Sequence, residues 1–406
     1  MTKGSVVDLF CGAGGASLGF LQSDYEICGA VDIDADALDV YRKNLCDKDL
    51  DELPGSVTFD EPMQADLSRE ADDYGEYTTF EDIREYFDLD EGEVDVICGC
   101  PPCQNFSTLR DTTPWPDDEP KDKLLQAYVE FIREAKPDVV FFENVPNIIH
   151  SGNGDTTYSE WFKRQMEMPF DDTDSEVGYG VNLKVVNAAD YGLPQRRRRT
   201  IGICKLGVPS EDIVFPAPTH QKEASSNDTL KKWVTVRDVL KPYYDNGLLK
   251  MSLELGKAQV GADDYPDDPA HRARRHQQNT IETMEAIREH GGSWSDLRNT
   301  DDEEYIRDCH QDLEGSAVSA YGIMDWDSPA PTLTTRCTTP SCGRYTHPEE
   351  NRSITFREAA LLMSFPDDYE LPEKNSIAER VIGNAVPPGL VSKILDGYSI
   401  QTRSVV

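Results

Sequence analysis

A good candidate for a nucleophilic cysteine sits in Gly99-Cys100-Pro101-Pro102-Cys103-Gln104-Asn105-Phe106-Ser107. This stretch follows a short apolar run, Val94-Asp95-Val96-Ile97-Cys98, that reads as a buried strand. A thiol at the end of a parallel strand lies where open α/β sheets place their chemistry. Pro101 and Pro102 stiffen the backbone just before Cys103 and hold its sulfur in place. Packing is the ordinary fate of a cysteine, so residue type alone leaves both readings open. Cys98, Cys100 and Cys103 also give a C-x-C-x-x-C spacing, but a tetrahedral zinc site needs a further ligand pair. The two prolines hinder wrapping three sulfurs around one ion, and no metal site is expected. Strand alternation puts Cys98 and Cys100 on one face, in the core.

A carboxylate and a cation cluster complete the reactive set. Asp138-Val139-Val140-Phe141-Phe142 is a second continuous apolar run, closed by Glu143-Asn144-Val145-Pro146. Glu143 therefore stands at a strand end, as Cys103 does, and an acid there needs a partner or a role. Further on, Gln195-Arg196-Arg197-Arg198-Arg199-Thr200 runs into Ile201-Gly202-Ile203-Cys204. In strand geometry Gln195, Arg197 and Arg199 share one face, and clustered guanidinium groups suit phosphates and polar base edges.

These side chains need a scaffold, and the N-terminus supplies its first unit. Ser5-Val6-Val7-Asp8-Leu9-Phe10 reads as a strand, Cys11-Gly12-Ala13-Gly14-Gly15 as a turn, and residues 16–21 as a helix. Strand, glycine turn and helix together open a nucleotide-binding βαβ unit. The turn lacks the full G-x-G-x-x-G of dinucleotide enzymes, which argues against NAD. A second strand, residues 25–30, runs into Val31-Asp32-Ile33-Asp34, placing Asp32 to accept from both hydroxyls of a ribose. Asp66, in Ala65-Asp66-Leu67, follows a further short strand within reach of an adenine.

In this order the motifs resemble those of the cytosine-5 DNA methyltransferases, over nearly the whole chain. The first family motif is Asp8-Leu9-Phe10-Cys11-Gly12-Ala13-Gly14-Gly15, with Asp32 and Asp66 at the second and third cofactor positions. Pro101-Pro102-Cys103-Gln104 followed by Phe106-Ser107 matches the nucleophile motif, and Glu143-Asn144-Val145 the next. Gln195, Arg197 and Arg199 match the Gln-x-Arg-x-Arg motif. Toward the C-terminus stand Ser328-Pro329-Ala330-Pro331-Thr332-Leu333-Thr334-Thr335-Arg336, Arg357-Glu358, Ser364-Phe365-Pro366 and Gly383-Asn384-Ala385-Val386-Pro387-Pro388. Asn105 is a departure, standing where the family usually has glycine.

The resemblance implies S-adenosyl-L-methionine as cofactor, held by Phe10, Gly12, Gly14, Gly15, Asp32, Ile33, Asp66, Leu67, Pro101, Asn384 and Ala385. It implies that Cys103 attacks carbon 6 of cytosine, which activates carbon 5 for methyl transfer. Glu143 would hold or donate a proton at ring nitrogen 3, Arg197 would contact the base with Arg199 as support, and Asn144 would be structural. A target inside duplex DNA must be flipped out, at a cost of a few kcal/mol. Implied partners are double-stranded DNA and, in a restriction-modification role, a cognate endonuclease, with the protein a monomer. The same chemistry on RNA (tRNA), or a non-catalytic DNA-binding relative, are the competing readings.

Composition pulls the other way. The chain has 76 acidic and 40 basic residues, a formal net charge of −36. Nucleic-acid-binding proteins are usually basic because phosphate contact drives association. The acid is spread along the chain, at Asp117-Asp118-Glu119 and within 171–176, 263–268 and 301–304, rather than gathered in one tail. A halophilic origin accounts for this, since multimolar salt screens repulsion over about 3 Å at 1 M. No apolar run reaches membrane-spanning length, and the first strand begins just after Met1-Thr2-Lys3-Gly4, so neither a membrane segment nor a signal peptide is expected. Ten cysteines scattered without a small-domain framework suit a reducing cytoplasm.

The expected fold class is α/β: a Rossmann-like S-adenosylmethionine-dependent methyltransferase domain with a smaller, irregular target-recognition domain. Residues 1–205 form the first part of the catalytic domain, 206–350 the target-recognition domain, and 351–406 a segment returning to the catalytic domain. Residues 111–123 are expected to form a loop that closes over DNA. In the middle domain Lys231, Lys232, His271, Arg272, Arg274, Arg275 and His276 are the DNA-contact candidates.

Overall fold

The computed structural model describes residues 2–50, 52–68, 77–102, 122–152, 155–170, 177–224, 228–246, 268–306 and 319–398. It divides into two compact units: residues 1–187, 198–218 and 385–406 form the first, and residues 188–197 and 219–384 the second.

One mixed sheet organises the first unit. β1 (Ser5–Leu9), β2 (Glu26–Asp32), β5 (Val96–Gly99) and β6 (Val139–Asn144) are almost wholly buried, as their continuous apolar runs require of strands covered on both faces. They lie in the order β2-β1-β5-β6, all parallel, and the short β3 (Ser56–Val57) and β4 (Met63–Gln64) pair in parallel with β2. β8 (Arg198–Leu206) then runs antiparallel to β6, and β7 (Tyr179–Asn187) antiparallel to β8. On one face α3 (Phe80–Phe87), α4 (Lys123–Ala135) and α5 (Tyr158–Glu167) bury Ile83, Leu125, Phe131, Ile132 and Phe162 against Val7, Ile97, Val140 and Phe142. Thr79 and Thr157 close capping boxes at the starts of α3 and α5.

α1 (Gly15–Leu21) and α10 (Pro388–Asp396) pack together in the same unit. The approach is close. A Cβ on Gly15 would come within 2.3 Å of the Val386 carbonyl, and one on Gly19 within 2.6 Å of the Pro388 carbonyl. The C-terminal Val386-Pro387-Pro388 segment thus seats on α1 through glycine faces.

Among its described residues the second unit has little strand: β9 (His220–Gln221) and β10 (Lys231–Lys232) form a two-residue parallel ladder. α6 (Val236–Asp245), α7 (Gln278–His290), α8 (Phe356–Leu362) and α9 (Asn375–Asn384) supply its helices. A small apolar cluster around Ile287, Trp294, Leu297 and Tyr321 is one of its cores. The other centre is ionic. Arg352 and Glu358, 1% and 0% exposed, are joined by two bonds of 2.9 and 2.8 Å. Glu358 also accepts from Tyr244 and from the Thr355 backbone N–H, at the start of α8. Burial opposes ionisation of Glu358, but the Arg352 guanidinium outweighs it and holds the carboxyl well below its usual range.

The division differs from the one expected at residue 350. Residues 351–384 group with the second unit because their charged side chains pair inside it, Arg352 with Glu358 and Arg357 with Asp268 at 2.7 Å. Only the segment from Ala385 onward groups with the first.

Four DNA-contact candidates are likewise structural. Arg272 lies 4.6 Å over the Phe356 ring and donates to the Glu373 carbonyl, and Arg274 pairs with Glu379. His271 is fully buried against Thr355. His276 is buried against Ser353, and desolvation, with Arg274 and Arg352 nearby, pushes it down to about 4, so it is neutral near pH 7. Lys231, Lys232 and Arg275 are exposed.

The buried pair yields a prediction. Glu358→Gln leaves the buried Arg352 with Glu350, at 2.7 Å, as its remaining carboxylate partner, and is expected to destabilise the second unit by about 1.5–3 kcal/mol. Denaturant unfolding would measure this. A loss below about 1 kcal/mol would mean that the pair is better solvated than its burial indicates.

Candidate active site

Parallel strands deliver their carboxyl ends to one edge of the sheet, so the turns after β1, β2, β4, β5 and β6 gather there. After β1, Phe10 adopts a left-handed backbone (φ 61°), followed by Gly12 (φ 53°) and Gly14 (φ 83°). Glycine adopts such angles at no steric cost, and a Cβ on Gly12 would meet nothing within 4 Å, which leaves that position open to an approaching ligand. Gly14 is closed from behind by Tyr41 and Leu45. The Asp32 carboxylate ties the turn to β2: Oδ2 accepts from the Gly12 N–H and Oδ1 from the Asp34 N–H, each at 2.8 Å. Each oxygen keeps a lone pair for a further donor.

Beside Asp32, Ile33 is 60% exposed, a large apolar face left uncovered at a strand end. Asp66 follows β4 and is exposed, Leu67 is buried, and the Ala65 N–H donates to the Asp32 carbonyl at 3.1 Å. Phe10 meets Tyr128 edge-on. The structure thus brings Phe10, Gly12, Asp32, Ile33 and Asp66 to one edge, with a flexible-angle turn, ribose-type acceptors and an apolar face. That set fits an adenosine-containing cofactor. Gly14 and Gly15 shape the turn from beneath, and Ala385 lies near Gly15. Asn384 is exposed at the end of α9 and belongs to the second unit.

After β5 comes Cys100-Pro101-Pro102. The Asn144 amide donates to the Pro101 carbonyl at 3.1 Å, while its own Oδ1 accepts from the Val145 N–H at 2.8 Å. Asn144 therefore ties the proline loop to the end of β6. Cys103, with Gln104, Asn105, Phe106, Ser107 and residues 108–121 of the expected loop, lies outside the described residues. The neighbouring cysteines are poor nucleophiles, since the thiolate is the reactive form. Burial holds the Cys98 thiol well above its usual range. Contact with Cys98 lowers the Cys100 thiol, but burial and Glu143 push it up to about 11.

Glu143, at 8% exposure, points its carboxylate at Arg199, 2.9 Å from Oε1 to Nε. The antiparallel register Glu143↔Ile201 and Asn144↔Thr200 brings the start of β8 alongside the end of β6. This corrects the expectation that Gln195, Arg197 and Arg199 share one strand face. β8 begins at Arg198. Arg197 lies before it, in the second unit, 1% exposed, donating to the Leu333 carbonyl at 2.8 Å and the Gly383 carbonyl at 3.1 Å. Gln195 is buried there too, donating to the Leu362 carbonyl and accepting from the Leu333 N–H. The structure therefore gives the Glu143 contact to Arg199 and makes Arg197 a clamp on two motifs distant in sequence.

Two features escaped the sequence reading: the Asn144–Pro101 tie, and a buried chain in which Tyr41 donates to Ser17 and Ser17 to Asp8. Asp8 inside an apolar run was a visible signal for the second. Among the described residues, no group of three or more His, Cys, Asp or Glu is placed to hold a metal, and no helix is long and apolar enough to cross a membrane.

The comparisons agree with this geometry. The chain is 30% identical to Type II methylase M.HgiDII of Herpetosiphon aurantiacus over 421 residues, covering 98% of each protein. It is 28% identical to Type II methyltransferase M1.HphI of Haemophilus parahaemolyticus, covering 96% of this chain and 85% of that one. In fold it is similar to the crystal structure of a DNA modification methyltransferase encoded within an E. coli prophage, with a TM-score of 0.57 at 24% identity, covering 97% and 98% of the two chains. The family model of C-5 cytosine-specific DNA methylases matches residues 4–399, and the chain belongs to that family.

Proposed function

We propose that this protein transfers a methyl group to carbon 5 of a flipped-out cytosine within a specific duplex DNA sequence, with Cys103 as the covalent nucleophile. The observation that carries the reading is the Glu143–Arg199 pair, set on β6 next to the Asn144-anchored proline loop that leads to Cys103. S-adenosyl-L-methionine supplies the methyl group when bound. Phe10, Gly12, Asp32, Ile33 and Asp66 would hold it at the sheet edge, with Leu67, Pro101 and Ala385 nearby.

Cytosine carbon 5 becomes nucleophilic only after a thiolate adds at carbon 6, and negative charge then builds toward ring nitrogen 3. Glu143 holds the proton at that nitrogen. Arg199 fixes the Glu143 carboxylate by a charge-assisted hydrogen bond and neutralises charge on the base. Arg197 acts at one remove, binding the Leu333 and Gly383 carbonyls. Asn144 keeps the Cys103 loop in register with Glu143. When the carbon 5 proton is lost to water, its bonding pair forms the carbon 5–carbon 6 double bond and expels Cys103 as the thiolate.

The second unit carries target recognition in this reading, with exposed Lys231, Lys232 and Arg275 as phosphate contacts. The protein acts as a monomer in the cytoplasm of a halophile, in a restriction-modification role beside a cognate endonuclease. The net charge of −36 supports the saline setting.

The test is methyl transfer from labelled S-adenosylmethionine to mixed-sequence duplex DNA in multimolar potassium chloride, with bisulfite sequencing of the product. Modification at one short motif is expected, abolished by Cys103→Ser. Glu143→Gln and Arg199→Ala should each lower kcat by about 10²-fold or more while cofactor affinity is kept. Transfer to RNA and not to DNA would overturn the substrate assignment.

Salt gives a separate prediction. Potassium chloride screens the carboxylate repulsion, so Tm is expected to climb steadily from dilute buffer to multimolar salt. Greatest stability in dilute buffer would count against the halophilic origin.

A further inference from the structure

Asp8 is a buried acid that the methyl-transfer chemistry does not use. It lies on β1, two residues before Phe10, and is fully buried. Oδ2 accepts from the Ser17 hydroxyl at 2.6 Å, and Ser17 accepts from the Tyr41 hydroxyl at 3.0 Å. Oδ1 meets no nitrogen or oxygen donor among the described residues. The groups that face Asp8 come from every element around it: Cys11 from the turn, Ser17 from α1, Asp32 from β2 and Tyr41 from α2 (Ala35–Tyr41). Cys98 and Cys100 face it from β5 and beyond, and Tyr128 from α4. None of them is a cation.

A fully buried aspartate is rare without a paired cation, because desolvation of an uncompensated carboxylate costs several kcal/mol. Among the described residues no cation fills that place, yet the carboxylate lies just behind the turn that approaches the cofactor. The methyl donor brings a fixed positive charge on its sulfonium. The demethylated product, S-adenosylhomocysteine, is the same molecule with a neutral thioether.

We propose that Asp8 is a buried counter-charge for the cofactor, which gives up its proton when the sulfonium form binds and regains it once the neutral product is formed, so favouring methyl donor over product. No bond to the cofactor forms. The proton passes to solvent on donor binding and returns from solvent after methyl transfer. The titration of the residue matches this role, since burial, only partly offset by the hydrogen bonds from Ser17 and Cys98, pushes its carboxyl up to about 7. Near neutral pH a nearby positive charge is therefore enough to tip it from acid to anion.

This inference rests on the S-adenosylmethionine assignment, and one experiment separates the two. The full-length protein is titrated with S-adenosylmethionine, and separately with S-adenosylhomocysteine, by calorimetry across neutral pH in buffers of different ionisation heat. The two ligands share their amino-acid end, so its own titration cancels in the comparison. Donor binding is expected to release up to about one proton below the Asp8 midpoint, and donor affinity to rise by up to about tenfold per pH unit there. Product binding should release far less and stay nearly flat. Asp8→Asn should abolish the extra release and narrow the donor-to-product affinity ratio by about tenfold or more at pH 8. Ser17→Ala removes a donor that favours the anion, and should move the midpoint upward while keeping the release.

Equal release with both ligands, or release unchanged in Asp8→Asn, would overturn the proposal. Should Asp8→Asn fail to fold, an unmoved midpoint in Ser17→Ala overturns it alone. Failure of both ligands to bind would instead overturn the cofactor assignment.

Discussion

The parallel pairing of β1 between β2 and β5, and of β5 with β6, is the constraint on which the site depends. Parallel strands point their carboxyl ends the same way, so residues 10–14, Asp32, Pro101 and Glu143 meet at one edge although they are spread over more than a hundred positions. The glycine turn is then pinned by one bond, from the Gly12 N–H to Asp32. The proline loop is pinned by another, from Asn144 to the Pro101 carbonyl. The antiparallel β8 adds what a parallel strand at that place would not: it begins where β6 ends, and so presents Arg199 to Glu143.

Each buried charge is compensated differently, and the manner tracks its role. Arg352 pairs with both Glu358 and Glu350 and makes a fixed ionic centre for the second unit. Glu143 has one cation on one oxygen, which orients it and leaves acceptor capacity for a base. Asp32 is satisfied by backbone N–H groups, and Asp8 by the Ser17 hydroxyl and the Cys98 thiol. The series runs from a closed ion pair to an acid with no cation among the described residues, and the incomplete cases lie in the first unit. Most basic side chains buried in the second unit are bound to its own carbonyls and carboxylates.

Much of this was legible in order along the chain. Largely apolar runs marked β1, β5 and β6, because strands covered on both faces need no alternation. The glycine turn, the carboxylate after β2 and the acid after β6 were readable since each sits at the end of such a run. The arginine cluster was misread. A period of two assigns faces only within a strand, and β8 starts at Arg198 because residues 195–197 are drawn to Ala330, Leu333 and Gly383. His271, Arg272, Arg274 and His276 looked like a basic surface for the same reason: their partners Thr355, Glu373, Glu379 and Ser353 lie about 80 to 105 positions away.

By itself the sequence determined the family, the α/β class and the list of reactive residue types, since these follow from motifs and from runs of local hydrophobicity. The tertiary structure decided which arginine faces Glu143, that Asn144 holds the loop before Cys103, that residues 351–384 belong with the second unit, and that no cation among the described residues faces Asp8. Pairings of this kind are set by strand register and by burial between distant segments. Neither quantity is a property of any stretch of chain taken alone.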